Sequence, residues 1–343
     1  MTPRELFNQL YLSTHRRDSH SRWVTEEASF AEDDILLQYD GQGKAIAGMV
    51  MQPVGFMYHG TMLDAVKMTN MSNLRDVRGR AAALQLNIDA LAAARDRGKA
   101  LCVIVPPQRH LYFYYDRFGY STVLYADELR YTALHTFAGG CGELTEPTGE
   151  ILRHLEMAYG CGTIHTDGDF KAMRQEIAAR GDTRIIAARD GNDSGMIIAE
   201  SYDDNVAVRL CLADSECLRL HLLWQLRQHE PDKTFLVDTP PVSDDRNYLR
   251  SRGMVRIVNP LPLLCALAAS DASLRHIIRL RDALIPDNEG YYLIADGNCL
   301  QMGDSSTHRP DLEVDISTLT AILFSSPTTG RIFNLPTVRP LLT

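Results

Sequence analysis

Two segments of the chain share a pattern of residues at a constant separation of 134 positions. Residues 99–107 read KALCVIVPP and residues 233–241 read KTFLVDTPP, so one lysine, one valine and two prolines coincide. The same offset places Gly119 on Gly253. Self-similarity at a fixed offset indicates that one chain contains two structural units of similar fold.

A hairpin pattern precedes each of these segments. ILLQYDGQGKAIAGM at residues 35–49 and RIIAARDGNDSGM at residues 184–196 place Asp-Gly between apolar runs, which is typical of a hairpin turn. A helical pattern and the short apolar strand that ends in Pro-Pro follow. We therefore predict an α/β fold with mixed sheets, built from two similar modules at residues 1–124 and 125–256.

The last part of the chain has a different pattern. It begins with NPLPLLCALAAS after Ile257, continues through short apolar runs separated by Asn and Gly, and reaches DLEVDISTLTAILFSS. This pattern predicts a helix, two or three short strands and a second helix. Residues 257–343 therefore fit a small α+β domain.

Composition limits the classes of protein to which the chain can belong. The 343 residues are enough for two or three domains. The 44 acidic side chains exceed the 35 Lys and Arg, and a net charge of −9 argues against a nucleic-acid partner. No apolar run approaches the ~20 residues of a membrane-spanning helix, and the N-terminus lacks an apolar signal core. We therefore expect no membrane partner and a cytoplasmic location. Seven cysteines without a CxxC spacing fit free thiols and no metal site.

The segment DVRGRA at residues 76–81 carries the chemistry of a phosphate site. It is a basic, glycine-containing loop between an apolar-rich strand and a helix, where backbone N–H groups and the helix dipole favour an anion. Gly79 lets a ligand approach the backbone, and Arg78 and Arg80 add positive charge. An ordinary strand–loop–helix connection with surface arginines has the same pattern. The apolar stripe of the following helix is predicted to comprise Ala81, Leu84, Ile88, Leu91 and Ala92.

Together with the strand ALCVIVPP and the segment RFGY that follow, this loop resembles the GNAT superfamily of acetyl-CoA-dependent N-acetyltransferases. In that family an [RQ]xxGx[GA] loop binds the pyrophosphate of the coenzyme, and here Asp76 replaces the first Arg or Gln. The whole chain resembles the Eis (enhanced intracellular survival) type, which has two GNAT modules and a third domain like a sterol carrier protein. The segments RGMVRIVNPLPLL, DNEGYYLI and DISTLTAILF carry the last part of the resemblance.

The resemblance implies acetyl-CoA as cosubstrate, bound once per chain in the first module. A backbone N–H on the strand before the loop can polarise the thioester carbonyl, and Met71 to Asn73 lie there. The offset of 134 places Arg78 and Gly79 on Leu212 and Ala213, so we expect no coenzyme in the second module. The coenzyme-binding residues are then Met71, Asn73, Val77, Arg78, Gly79, Arg80, Ala81 and Tyr115.

Two tyrosines are candidates for the general acid that protonates the leaving thiolate. Tyr120 holds the position that resembles the Eis-type acid, and Tyr115 holds the one that many single-module GNAT enzymes use; we favour Tyr120. In Eis-type enzymes the terminal carboxylate is the base, which implies the same role for Thr343.

The acceptor implied by the resemblance is a primary amine on a small molecule or a peptide, attacked directly by acetyl transfer. Acidic residues of the first module could hold a cationic amine, or could form an acidic surface without a catalytic role; they are Glu26, Glu27, Asp33 and Asp34. A non-catalytic acyl-CoA sensor and a lipid carrier are the alternative functions. The sequence leaves homo-oligomerisation open.

Overall fold

The computed structural model describes residues 1–15, 24, 30–159, 162–239, 250–303 and 309–324 of the chain. Contacts between Cα atoms group these residues into two compact units. Met1–Leu124 and the described residues from Gly253 onward form the first unit, and Tyr125–Arg252 forms the second. The division into three domains stays a prediction.

Single α-helices separate groups of one to four strands along the described chain. The helices are α1 (Pro3–Thr14), α2 (Val77–Asp96), α3 (Arg109–Asp116), α4 (Gly149–Tyr159), α5 (Asp167–Arg180), α6 (Glu216–His229), α7 (Pro260–Ser270) and α8 (Ile316–Leu323). The strands are β1 (Ile35–Tyr39), β2 (Ala45–Tyr58), β3 (Thr61–Asn73), β4 (Leu101–Ile104), β5 (Ser121–Tyr131), β6 (Glu143–Thr145), β7 (Gly162–Ile164), β8 (Thr183–Asp190), β9 (Asp193–Ser201), β10 (Asn205–Ala213), β11 (Thr234–Thr239), β12 (Arg250–Ile257), β13 (His276–Arg281), β14 (Gly290–Ala295), β15 (Asn298–Met302) and β16 (Leu312–Asp315).

The sheet of the first unit has the strand order β1-β2-β3-β4-β12. Strands β1, β2 and β3 are antiparallel, β4 is parallel to β3, and β12 is antiparallel to β4. The Asp-Gly turn predicted between β1 and β2 is present, with the Gly43 N–H bonded to the Asp40 carbonyl at 3.0 Å. The predicted hairpin, helix and short strand are confirmed, and the strand is parallel to β3.

Helices cover both faces of this sheet. A Cβ at Gly48 of β2 would meet Phe7 and Leu10, so α1 lies on the face to which Gly48 belongs. The neighbouring Met49 points to the other face, where it is part of one core with Leu86 of α2. Because side chains alternate across a strand, α1 and α2 lie on opposite faces.

The stripe predicted for α2 is correct at Leu91 and at Ile88, which is half-buried against the same core, and wrong at the other three positions. Leu84 is 43% exposed, and Ala81 and Ala92 are exposed. The helix is rotated so that a face of small residues lies against the sheet, comprising Ala82, Ala83, Leu86, Ala90, Leu91 and Ala94. Alanines let a helix approach a sheet closely, and this packing determines the buried face more strongly than the size of Leu84.

The second unit repeats the central pattern of the first. Strands β9 and β10 are antiparallel, and β11, which follows α6, is parallel to β10. The predicted fold class, an α/β architecture with mixed sheets, is confirmed. The two units do not correspond at an offset of 134 at the helix start, however. Leu212 and Ala213, the counterparts of Arg78 and Gly79, end β10, and α6 begins only at Glu216.

The C-terminal segment contains α7, a sheet with the order β15-β14-β13-β16, and α8. Four strands are present, whereas two or three are predicted. The additional strand is β16, whose four residues lead directly into α8, so the sequence pattern does not separate the two. The likeness to a sterol carrier protein stays a prediction. Within the described residues, no helix combines the length and the apolar character that a bilayer crossing requires.

A buried ion pair joins this segment to the end of α3. Arg256 of β12 is 0% exposed and donates from Nη2 to Asp282 Oδ1 at 2.7 Å and from Nε to the Phe118 carbonyl at 2.8 Å. Gly119 has a φ of +78°, and a Cβ there would lie 3.0 Å from Arg256 Nε. Gly119 is therefore required both by its backbone conformation and by the close approach of Arg256. Gly253, its counterpart at the offset of 134, lies in β12.

Candidate coenzyme site and active site

The parallel strands β3 and β4 pair for only four residues and then separate. The pairing runs from Ala65 with Leu101 to Met68 with Ile104, where β4 ends. Pro106 follows shortly after and has no N–H for a ladder hydrogen bond, whereas β3 continues to Asn73. An opening in the sheet results at the carboxyl end of β4.

A β-bulge in β3 faces this opening. Thr69 pairs with Val50 and Ser72 with Gly48, so Asn70 and Met71 together oppose one residue of β2. Asn70 has a φ of +53°, a left-handed conformation that a non-glycine residue adopts only at an energetic cost. A bulge redirects backbone groups out of the regular ladder, and bulges are frequent beside active sites.

A cavity of about 840 Å³ occupies the opening. This volume lies within the range of ~300–1,000 Å³ of small-molecule sites. Tyr11 and His15 of α1 line it from one face of the sheet, and Leu84 of α2 and Tyr115 of α3 line it from the other. The cavity therefore passes through the sheet between β3 and β4.

The charge of the cavity is opposite to that of the chain. Lys67, Arg80 and Arg117 line it, and none of the described residues that line it is Asp or Glu. The chain as a whole has a formal net charge of −9. Cationic side chains concentrated in a concave site attract an anionic ligand.

Helix α2 directs its N-terminus toward the same region. The Arg80 N–H is bonded to the Asp76 carbonyl at 3.2 Å, so the amides of residues 77–79 precede the first intrahelical hydrogen bond. Such amides, together with the helix dipole, are suited to phosphate oxygens. The side chains of Val77, Arg78 and Gly79 lie outside the described residues.

Four of the coenzyme residues predicted from the sequence meet at the cavity. They are Met71, Asn73, Arg80 and Tyr115. Ala81 is exposed in the second turn of α2 and does not line the cavity. Within the described residues no group of three or more His, Cys, Asp or Glu side chains could hold a metal ion. The absence of a metal cofactor stays a prediction.

Tyr115 presents its hydroxyl at the bulge. Its side chain is 5% exposed and lines the cavity, and its hydroxyl donates to the Met71 sulfur at 3.2 Å. Burial, reinforced by the neighbouring Tyr114, raises the pKa of Tyr115 well above the ordinary tyrosine value. The phenol is therefore neutral at physiological pH and can act as a proton donor.

Tyr120 lies behind Tyr115 and does not line the cavity. Its ring is 1% exposed and meets the Tyr115 ring edge-on, with the two centroids 5.9 Å apart. Its hydroxyl is hydrogen-bonded to the Cys102 sulfur. Burial raises the pKa of Tyr120, and it raises the pKa of the Cys102 thiol to about 12. Its catalytic role stays a prediction.

Sequence reasoning missed an amide that fixes the α2–α3 side of the cavity. Asn87 is 4% exposed and donates from Nδ2 to the Ala83 carbonyl at 2.8 Å and to the Tyr114 hydroxyl at 3.2 Å. Arg117 lies over the Tyr114 ring at 5.1 Å. The sequence does contain a signal for this residue, because Asn87 is a polar side chain within an apolar helical run, and buried polar groups need hydrogen-bond partners.

Of the predicted base and amine-binding residues, those that the structure describes do not line the cavity. Thr343, Glu26 and Glu27 lie outside the described residues. Asp33 and Asp34 are described, and they line a separate hollow with Arg97, whose Nη1 is 3.9 Å from Asp34 Oδ1. Burial raises the pKa of Asp34, although Arg97 opposes this effect.

Comparison with known proteins agrees with this geometry. No protein-family model and no curated protein matches the sequence. Among solved structures, a GCN5-related N-acetyltransferase (GNAT) from Kribbella flavida matches with a TM-score of 0.72 and 14% identity, over 99% of this chain and 97% of that one. Eis1 from Mycobacterium abscessus matches with a TM-score of 0.70 and 14% identity, over 98% and 96%.

The chain has the Eis-type GNAT fold. A probable N-acyltransferase from Enterococcus faecalis V583 matches it as well, with a TM-score of 0.73 and 13% identity, over 98% of this chain and 95% of that one. The resemblance inferred from the loop, the strand and the RFGY segment is confirmed at the level of the fold. At these identities the GNAT fold itself does not assign a substrate.

Proposed function

We propose that the protein is an acetyltransferase that moves the acetyl group of acetyl-CoA to a primary amine. One observation carries the proposal: the cationic cavity in the split sheet contains both a strand bulge and the Tyr115 hydroxyl. Polarising a thioester and protonating a leaving thiolate require groups of these two kinds. The acceptor is a small-molecule or peptide amine.

The residues of the first unit suit the coenzyme. Its pyrophosphate would lie on the amides of residues 77–79, which precede the first intrahelical hydrogen bond of α2, with Arg80 and Arg117 contributing positive charge. The part of β3 beyond Met68 is not paired with β4, so its backbone can bind the amide groups of the pantetheine arm. The apolar side chains of Leu84 and Leu111 line the cavity on the α2–α3 side.

The chemistry follows from the positions of the bulge and the tyrosine. A backbone N–H of β3 at Met71–Asn73 polarises the thioester carbonyl, and the amine nitrogen attacks the carbonyl carbon. When the C–S bond breaks, Tyr115 donates its proton to the sulfur. We assign the acid to Tyr115 because its hydroxyl is at the cavity, whereas the Tyr120 hydroxyl is bonded to Cys102.

In the second unit, the N-terminus of α6 differs from that of α2 in its charge and its capping. Ser215 caps α6 by accepting the Leu218 N–H at 3.4 Å, and Glu216 adds an acidic side chain in the first turn. The Asp214 carboxylate precedes the cap and accepts the Ser194 N–H at 2.8 Å. Two carboxylates and a filled cap disfavour a pyrophosphate. One coenzyme per chain is the consequence.

Calorimetry with CoA tests the coenzyme site. We expect one molecule per chain and a loss of binding in Gly79→Trp, because an indole at the helix start would fill the space of the pyrophosphate. Arg80→Glu should weaken binding by at least about tenfold, since a charged hydrogen bond is worth ~1.5–3 kcal/mol. Arg130→Glu, an exposed change in β5, is the control. Two molecules per chain, or equal binding by all variants, would contradict the assignment.

Turnover with a panel of primary amines tests the reaction. The panel includes an alkyl monoamine, a diamine, an amino-acid amide and a short peptide, and release of free CoA thiol is measured. We expect turnover that depends on the amine, with the acetylated product detected by mass spectrometry. Binding of CoA without amine-dependent thiol release would instead identify a sensor.

A further inference from the structure

A glycine-rich segment with the sequence GGCG lies against helix α6 of the second unit and contains Cys141. The Gly140 N–H donates to His221 Nδ1 at 3.1 Å. A Cβ at Gly139 would lie 2.7 Å from the Trp224 ring. His221 and Trp224 both belong to α6, so the absence of side chains at the two glycines lets the segment approach the helix closely.

The glycine after Cys141 fixes the position of the cysteine further. Gly142 has a φ of +77°, and a Cβ there would collide with the Arg189 carbonyl at the end of β8 and lie 3.0 Å from Leu218 Cδ1. Cys141 is part of the same apolar core as Leu218. Cys141 is therefore held between the end of β8 and the start of α6, where Cys217 is the second residue of the helix.

The Cys141 thiol has two partners in this position. It donates to Asp190 Oδ2 at 3.4 Å, and it is hydrogen-bonded to the Cys217 thiol. The hydrogen bond with Cys217, burial and the Asp190 carboxylate raise the pKa of the Cys141 thiol to about 12. The Cys141 thiol therefore keeps its proton at physiological pH.

The two contacting thiols differ in their access to solvent. Cys217 is exposed in the first turn of α6, whereas Cys141 is 8% exposed. An oxidant in solution therefore reaches Cys217 first. Widely separated cysteines form a bridge only if the backbone moves, and the contact between these two sulfur atoms removes that requirement.

We propose that Cys217 and Cys141 form a reversible disulfide when a peroxide oxidises Cys217. The Cys217 sulfur bonds to one peroxide oxygen as the O–O bond breaks, which gives a sulfenic acid and, from hydrogen peroxide, one water. The Cys141 sulfur then attacks the Cys217 sulfur while Asp190 takes the thiol proton. The S–O bond breaks, and the departing hydroxide receives that proton as water. Two thiols and one hydrogen peroxide thus give one disulfide and two waters.

This modification site is independent of the acetyltransferase function proposed above. The bridge would tie the glycine-rich segment to the start of α6, and a cross-link between distant positions lowers the entropy of the unfolded chain. Disulfides that form in a reducing compartment are usually transient, so a dithiol should restore the two thiols. The second unit would then be more stable in its oxidised form than in its reduced form.

Mass spectrometry of the full chain tests the bridge. The reduced protein is treated with a small molar excess of hydrogen peroxide, alkylated and digested. We expect a cross-linked peptide pair containing Cys141 and Cys217, a loss of about 2 Da in the intact mass, and reversal by dithiothreitol. The oxidised chain should also melt at least about 5 °C higher than the reduced chain.

Variants of the exposed cysteine and of a cysteine elsewhere provide the controls. Cys217→Ser should abolish the cross-link and the rise in Tm, and its exposed position makes this test independent of changes in the core. Cys265→Ser should leave both unchanged, because the Cys265 thiol donates to oxygen atoms, the Cys299 carbonyl at 3.5 Å and Asn298 Oδ1 at 3.6 Å.

The order of the two steps is tested with a trap for sulfenic acids, dimedone. Cys141→Ser should accumulate dimedone label at Cys217, because the second sulfur is missing. Asp190→Asn keeps an oxygen acceptor but loses the base, so disulfide formation should slow at least about tenfold while oxidation of Cys217 keeps its rate. Equal rates of disulfide formation in Asp190→Asn and the unmodified chain would overturn the role of Asp190.

Three results would overturn the site itself. They are a cross-link that joins other cysteines, a cross-link between two chains, and dimedone label at Cys217 no higher than at Cys265. A cross-link between Cys141 and Cys217 that leaves the Tm unchanged would overturn the stabilisation of the second unit.

Discussion

Tyr115→Phe should lower kcat by about 100-fold or more while CoA affinity changes little. The substitution removes one oxygen at the bulge, so the leaving thiolate loses its proton donor, and general acids typically contribute ~10²–10⁴ in rate. The phenylalanine ring keeps the packing against Tyr114 and Tyr120. Steady-state thiol release and calorimetry with CoA measure the two effects separately.

Tyr120→Phe provides the matched comparison, because both tyrosines are buried and their rings touch. Loss of the Tyr120 hydroxyl removes a hydrogen bond to Cys102 away from the cavity, so we expect a small effect on kcat. If Tyr120→Phe were the damaging change and Tyr115→Phe the mild one, the acid would be Tyr120, as the resemblance to Eis-type enzymes implies.

The pH dependence of kcat provides a second test of whether Tyr115 is the acid. Burial raises the pKa of Tyr115 in the folded protein, so the phenol keeps its proton throughout the neutral and mildly alkaline range. The rate should therefore not decline at any pH below ~10, the pH at which an exposed tyrosine ionises. A decline with a midpoint near pH 8 would show that another group is the acid.

The patterns that predicted the fold correctly were local. Asp-Gly between two apolar runs specifies a hairpin, and the Pro-Pro that ends the 101–104 strand prevents its ladder from continuing. Both features depend on a few neighbouring residues, so one sequence is enough to recognise them. The phosphate loop is predicted in the same way, from Gly79 and its arginines at a helix start, and its role stays a prediction.

The features that were missed depend on packing between distant segments. The buried face of α2 follows from its fit to the sheet, and periodicity alone chose Leu84, which lines the cavity instead. Tyr115 and Tyr120 differ in access to the cavity, which their spacing does not reveal.

Removing either partner of the Arg256–Asp282 pair should destabilise the chain by about 3–5 kcal/mol. Both side chains are essentially inaccessible, at 0% and 1% exposure, so neither charge can turn to water when its partner is lost. Asp282 also accepts the Asn288 Nδ2 at 2.8 Å, and Arg256 also donates to the Phe118 carbonyl. Urea denaturation of Arg256→Met and Asp282→Asn measures the loss.

The double variant Arg256→Met/Asp282→Leu distinguishes the two parts of this cost. Each single change leaves one buried charge unpaired, whereas the double change removes both, so its loss should be smaller than the sum of the single losses. Arg275→Ala breaks a pair with Asp296 whose side chains are 55% and 81% exposed, and it should cost less than about 1 kcal/mol.

Because Arg256 holds the Phe118 carbonyl at the end of α3, its loss should also weaken CoA binding through the position of Tyr115. Additive losses would show that the pair does not act as a unit, and the link from the C-terminal segment to the active site would then have to pass through other contacts.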